Sequence, residues 1–305
     1  MLPFPSFAVE TPDTWGVCHH LLAEPGAHLL AGGTDLLPSM KHRIFHPRVV
    51  VSMRRLPGLR KVIEHADGTL ALGAGLTLAA VARLAVVRER YPALAEACRT
   101  VATPTIQGMA TLGGNLALDT RCVYYNQPEG WRAALGGCLK CDGTVCHVAP
   151  KGKGCYAAHS ADTVPALWLY GAEVQVSSAD GARLVPIQRL YGDDGRTWLG
   201  LQRGEVITRV LLPRPSAHVV HRKLRIRAAI DYGLLLVAAE RRDTGFRAVI
   251  SAVGPRPIEV SATTPEDLAS AAYAAVQPLA THLPPVPWRK KMVRVEVRRA
   301  ALSLL

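Results

Sequence analysis

Five of the chain's seven cysteines, Cys122, Cys138, Cys141, Cys146 and Cys155, fall within 34 residues of a stretch otherwise made of polar, glycine and aromatic residues. Thiolates bind soft metals and take part in redox chemistry, so this density needs a cause. Three causes compete. Independent buried thiols would account for one cysteine but not for five in a polar segment. Zinc would accept the Cys138-x2-Cys141 spacing with His147 nearby, yet a second C-x-x-C or H-x3-H half is missing. A 4Fe-4S cube takes four thiolates that need no short spacing, because a loop can wrap it, and this is the favoured reading. The metal would displace thiol protons, so binding it would order the loop. Cys18 and Cys98 lie in helical contexts and read as packing thiols.

Two glycine turns are the other chemically informative feature. Leu29, Leu30, Ala31, Gly32, Gly33, Thr34, Asp35 and Leu36 run from an apolar strand into a helix start. The segment TPTIQGMATLGGNLALD supplies a second turn at Thr111, Gly113, Gly114 and Asn115. Bare backbone N–H groups flanked by hydroxyl and amide donors suit phosphate oxygens, and two such turns can hold a diphosphate from opposite sides. Neither turn is G-x-G-x-x-G or a P-loop. No nucleophile elbow, carboxylate pair or HExxH motif accompanies them, so bond-breaking chemistry is not expected on this chain.

Elements must position these residues. The pattern predicts a βαβ unit over residues 28–53, a capped helix from Thr77 to Tyr91, and an aperiodic region from 119 to about 160. It predicts an apolar segment and strand from 164, strands at 218–227 and 246–254, and helices at 232–241, 264–280 and 288–304. The Pro213/Pro215 pair marks a boundary between residues 1–215 and 216–305. Loops as long as 119–160 are uncommon without a function or a constraint.

The chain has 305 residues, 49% hydrophobic and 20% charged, enough for a large core in one or two domains. Its longest apolar run, Leu234 to Ala239, is too short to cross a bilayer, and its start lacks a basic leader region. A cytoplasmic protein is expected. Net charge is +12, and residues 216–305 hold 14 basic against 7 acidic side chains. A nucleic-acid role would rest on charge alone, since no basic helix is interleaved with aromatics.

The paired turns resemble those of the flavin subunits of molybdenum hydroxylases, a family that includes carbon monoxide dehydrogenase and xanthine dehydrogenase. HPRVVVSMRRLPGL, LALGAGLTLAAV, DTVPALWLYGAEVQV and HRKLRIRAAIDYGLLLVAA follow that family's order. The resemblance implies an α+β, vanillyl-alcohol-oxidase-like (PCMH-type) FAD fold. It would have subdomains at about 1–53 and 54–215 and a small α+β C-terminal domain over 216–305. It implies FAD contacts at both turns, Asp162 near the ribose and diphosphate, and Lys223 and Arg227 near the flavin. A loop at Leu190, Tyr191 and Gly192 would lie over the ring.

Within that family the cysteine region is an insertion, because Asn115 to Asp162 takes 47 residues. RCVYYNQ, CLKCDGTVCHVAP and KGKGC resemble the insertion of the β subunit of 4-hydroxybenzoyl-CoA reductase. That likeness implies Cys122, Cys138, Cys146 and Cys155 as 4Fe-4S ligands and leaves Cys141 open. It implies an electron relay from reduced ferredoxin through 4Fe-4S and FAD to a small subunit with two 2Fe-2S clusters and a molybdenum large subunit, in a dimer of heterotrimers that degrades aromatic compounds. Neither nucleic acid nor membrane is implied as a partner. Lys140, Lys151 and Lys153 would form a basic rim for an acidic ferredoxin. The rival expectations are the flavin subunit of another molybdenum hydroxylase and a stand-alone flavin oxidoreductase with a structural zinc in the insertion.

Overall fold

Short β-branched runs bounded by turns build three sheets, in a computed structural model that describes residues 3–305. The first is parallel, in the order β1 (Ala8–Glu10), β3 (Val49–Ser52), β2 (Ala27–Leu30). The crossover between β2 and β3 contains the helix Leu36–Lys41, so the first glycine turn sits at the carboxyl end of a parallel strand, a common place for ligands. The second sheet is antiparallel, in the order β4 (Val62–Glu64), β5 (Leu70–Gly73), β8 (Val206–Leu212), β6 (Glu173–Ser178), β7 (Gly181–Pro186). The third, also antiparallel, runs β12 (Ile258–Ala262), β11 (Gly245–Ser251), β10 (Leu235–Arg242), β9 (Val219–Leu224).

The third sheet is buried on both faces. Leu235, Val237 and Ala239 of β10 pack against the helices Pro265–Ala275 and Val286–Leu302, while Ala238 and Val249 face the core shared by the first two sheets. This corrects the expected helix over 232–241. A central strand buried on both faces reads as a continuous apolar run, and periodicity cannot separate it from a buried helix. The expected helix after Thr77 is also divided. Thr77 does cap its start, with Oγ1 accepting the Ala80 N–H at 3.1 Å, but Leu84 leaves the helical region and splits it into Leu78–Arg83 and Ala85–Arg90.

The segment 119–160 contains one regular element, the helix Glu129–Ala134. Its base is closed by paired backbone hydrogen bonds between Arg121 and Ala158, at 2.8 and 2.7 Å. Buried Arg132 donates to the carbonyls of His42, Arg43 and Gln127 and so fastens the loop to the end of the helix Leu36–Lys41. This polar scaffold supplies an ordering constraint that the aperiodic sequence did not reveal. Among the described residues no helix is long and apolar enough to cross a membrane.

Candidate functional site

The first glycine turn packs against Met109, in the segment leading into the second turn, and the second turn packs against Ala74. A Cβ on Gly32 would stand 1.9 Å from the Met109 carbonyl oxygen, and one on Gly113 would stand 2.8 Å from the Cβ of Ala74. Gly33 has φ +73°, which lets the chain turn directly into the helix Leu36–Lys41. Thr111 holds the second turn, its Oγ1 accepting the Gly114 N–H at 3.1 Å. Asn115 turns its side-chain oxygen to Thr163, accepting from N–H at 3.1 Å and from Oγ1 at 2.7 Å, and thereby anchors the turn to the segment that carries Asp162.

A cavity of about 740 Å³ opens along both turns and extends to Met53, Trp198, Leu201 and Ile207. A second, of about 620 Å³, shares Ala31, Gly32, Met53 and Thr111 with it and adds Arg54, Arg60 and Lys61. The two adjoin at the turns, the larger lined mostly by apolar surface and the smaller carrying those basic side chains. That shape suits an extended dinucleotide with a flat aromatic head. Leu29, Ala31, Gly32, Gly33, Thr34, Asp35 and Leu36 of the first turn all line the larger cleft, as do Thr111, Gly113, Gly114 and Asn115 of the second; Leu30 does not.

Asp162 and Lys223 also face the cleft, as a buried ion pair with Nζ 2.6 Å from Oδ1 and side chains only 4% and 2% exposed. Lys223 also donates to the Thr100 carbonyl at 3.0 Å. Burial pushes the Asp162 carboxyl pKa up, while Lys223 pulls against that shift. Lys223 is thus buried in the cleft wall and is not a solvated strand edge. Arg227 departs from expectation: its side chain is 65% exposed, bonds to Asp231 of its own loop, and does not line the cleft. The 190–192 segment departs too. Leu190 and Tyr191 are buried behind the wall, with the Tyr191 hydroxyl donating to the Leu116 carbonyl at 3.1 Å. Trp198, stacked on Tyr191, lines the cleft in its place.

Arg121 was missed by sequence reasoning. It pairs with Asp35 of the first turn and lies over the Tyr232 ring at 4.6 Å, so it joins the first turn to the third sheet's loop. Ala102 (φ 40°) and Ile230 (φ 54°) form another tie, the Ile230 N–H donating to the Ala102 carbonyl at 3.2 Å. Both line the cleft, and a β-branched residue in the left-handed region is strained.

A family described as the FAD binding domain in molybdopterin dehydrogenase matches residues 5–215. The chain belongs to that family. It is 32% identical over 249 residues to the aldehyde oxidoreductase FAD-binding subunit PaoB of Escherichia coli, covering 78% of each chain. It is 28% identical over 248 residues to the xanthine dehydrogenase FAD-binding subunit of Escherichia coli O157:H7, covering 78% of this chain and 71% of that one. Quinoline 2-oxidoreductase from Pseudomonas putida 86 shares the fold with a TM-score of 0.80 at 22% identity, over 99% of this chain and 98% of the other. Carbon monoxide dehydrogenase from Hydrogenophaga pseudoflava does so with a TM-score of 0.77 at 22% identity, over 100% and 99%. The fold is thus the α+β FAD-binding fold of the family's medium subunits, and the protein is an FAD-binding oxidoreductase subunit.

Against this family frame, the cysteine loop stands on the cleft's flank. None of the seven cysteines forms a disulfide. Cys18 and Cys98 are fully buried in the core, as packing thiols should be. Cys138, Cys146 and Cys155 are buried and Cys122 half-buried. Burial raises the Cys122 pKa, and the nearby Cys138 and Cys146 raise it further. Burial pushes Cys155 up to about 11, with Cys146 and Cys122 adding to the shift. Cys122 thus lies near Cys138 and Cys146, and Cys155 near Cys146 and Cys122. Backbone N–H groups of Tyr124 and Tyr125 near Cys122, and of Ala157 near Cys155, pull the other way without reversing the rise. Cys141 differs, since its thiol donates to the Asp142 carboxylate at 3.2 Å and, of the cysteines, is raised by Cys138. Among the described residues no three His, Cys, Asp or Glu side chains converge on one point as ligands of a single metal ion would.

Lys140 is not on a docking rim. Its side chain is 7% exposed and turned inward to pair with Asp119, and Lys140, Asp119 and Tyr125 all line the cleft. Lys151 and Lys153 are exposed.

Proposed function

We propose that this chain is the flavin and iron–sulfur electron-transfer subunit of a molybdenum-containing complex, with 4-hydroxybenzoyl-CoA reductase as the specific assignment. Electrons from reduced ferredoxin would pass through 4Fe-4S and FAD towards a small subunit with two 2Fe-2S clusters and a molybdenum large subunit, in a dimer of heterotrimers. Residues 1–215 form the flavin domain in this reading, with 119–160 as the insertion and 216–305 as the C-terminal domain. The observation that carries it is the gathering of Cys122, Cys138, Cys146 and Cys155, three of them buried and one half-buried, in a segment whose own residues Asp119, Tyr125 and Lys140 line the flavin cleft.

FAD exchanges electrons singly or in pairs, and a 4Fe-4S cube exchanges them one at a time. The chain's residues bind and orient. Backbone N–H groups of the two turns would receive the diphosphate, the Asp162–Lys223 pair fixes the wall beside it, and Trp198, Leu201 and Ile207 exclude water from the ring's end. No residue here is assigned to substrate chemistry, which belongs to the partner subunit.

A second reading keeps the cofactors and changes the substrate: 32% identity to an aldehyde oxidoreductase subunit favours an aldehyde-oxidising complex. Anaerobic purification of the complex tests both. About four irons and four acid-labile sulfides on this chain, with FAD, are expected. Dehydroxylation of 4-hydroxybenzoyl-CoA by the reduced complex supports the first reading, and aldehyde oxidation without it supports the second. An iron-free chain sinks the relay in either.

A further inference from the structure

Lys140 lies in the tight turn between Cys138 and Cys141, whose backbones exchange two hydrogen bonds of 2.8 Å. Its amine leaves that turn inward, pairs with the Asp119 carboxylate, and donates to Thr120 Oγ1 at 2.6 Å. It also sits 4.4 Å from the centre of the Tyr125 ring, and the Tyr125 hydroxyl donates to the other Asp119 oxygen at 2.9 Å. The Thr120 hydroxyl donates to the Gly195 carbonyl at 3.1 Å, and the Gly195 N–H donates to the Cys155 carbonyl at 2.8 Å. The pair is thus fastened at both ends to the segments carrying cysteines, while Asp119, Tyr125 and Lys140 form part of the cleft wall.

Anchoring alone does not require charge. A buried ion pair is commonly no more stabilising than apolar residues of similar volume. Charges on the wall of a largely apolar cleft do, however, act strongly on any reaction there that changes charge. Reduction puts negative charge on a flavin, which a cation favours and a carboxylate opposes. We propose that Lys140 and Asp119 are a positioning pair through which the cysteine loop sets the reduction potential of the flavin in this cleft. The proposal rests on the FAD part of the proposed function and not on the cluster.

The test is spectroelectrochemical titration of the flavin in the full-length chain, with FAD and iron content measured in parallel. K140M leaves the carboxylate uncompensated and is expected to lower the ratio of reduced to oxidised flavin about tenfold at fixed potential, about 30 mV for a two-electron couple. D119N leaves the cation uncompensated and is expected to raise that ratio by a similar factor. The K140M/D119N double variant and K140R return towards the parent value. A purely structural link would instead shift both single variants in the same direction, and that result, or no shift in either, overturns the proposal. Where K140M sheds its flavin, D119N decides by its upward shift or lack of one. Flavin loss from both single variants without recovery in the double also overturns it. A parent chain without flavin would instead count against the proposed function.

Discussion

Cys138 and Cys141 share one turn, yet Cys122 senses Cys138 and Cys146, while Cys141 is engaged by Asp142. The expected outcome of changing each cysteine to serine follows from that difference. Low-temperature EPR of the dithionite-reduced protein should lose the cluster signal in C122S, C138S, C146S and C155S and keep it in C141S. Loss in C141S with retention in C122S would refute the ligand set. Side-chain chemistry of this kind was legible in the sequence as residue type and spacing. Pairing was not: Lys223 reads equally well as a solvated strand edge until the structure buries it on Asp162, and Lys140 reads as surface charge until its amine is found inside. Partners such as Asp162 with Lys223 or Arg121 with Asp35 lie 61 and 86 residues apart, and nothing local marks them.

Turns and strands carry a different kind of information. Each glycine turn was legible because glycine does there what no other residue can, but the sequence did not tell that the first packs against the segment leading into the second. The contact makes a sharp prediction. G32A forces a methyl group against the Met109 carbonyl, which is backbone and cannot swing aside, so the two segments must part. The expected result is loss of FAD and a destabilisation of about 1–3 kcal/mol, the usual cost of overpacking, read by denaturant unfolding and flavin absorbance. G16A is the control: Gly16 lies in the helix Trp15–Ala23 with nothing within 4 Å of the added Cβ. It should retain FAD and leave stability unchanged or slightly raised, since Gly16 lies in the first turn of its helix. FAD retained in G32A would show that the two segments are not locked together. The misread strand β10 belongs to this scale too, because only the third sheet's position between two cores explains its unbroken apolar run.

Across the whole molecule, the 119–160 segment joins the flavin-binding region and the third sheet at a buried histidine. His159 is wholly inaccessible: its Nδ1 lies 2.9 Å from Ser251 Oγ, the Ser251 hydroxyl donates back to its carbonyl at 3.0 Å, and its ring meets Tyr191 edge-on at 4.5 Å. Nε2 has no partner, and burial lowers the pKa from 6.5 to about 3. In the unfolded chain the imidazole takes up a proton below about pH 6.5, whereas in the fold it stays neutral until about pH 3. The unfolded state therefore binds more protons across that window, and stability must fall as pH drops through it. At pH 5 the loss from this residue alone is on the order of 2 kcal/mol relative to pH 7. H159F keeps an aromatic ring and removes the titration, so it should flatten this part of the pH dependence even while it costs the Ser251 hydrogen bond. Denaturant unfolding at pH 7 and pH 5 separates the two effects, the first appearing as a smaller difference between pH values and the second as an offset at both. An equal pH 7 to pH 5 loss in parent and variant would mean that His159 is not the junction's acid-sensitive group.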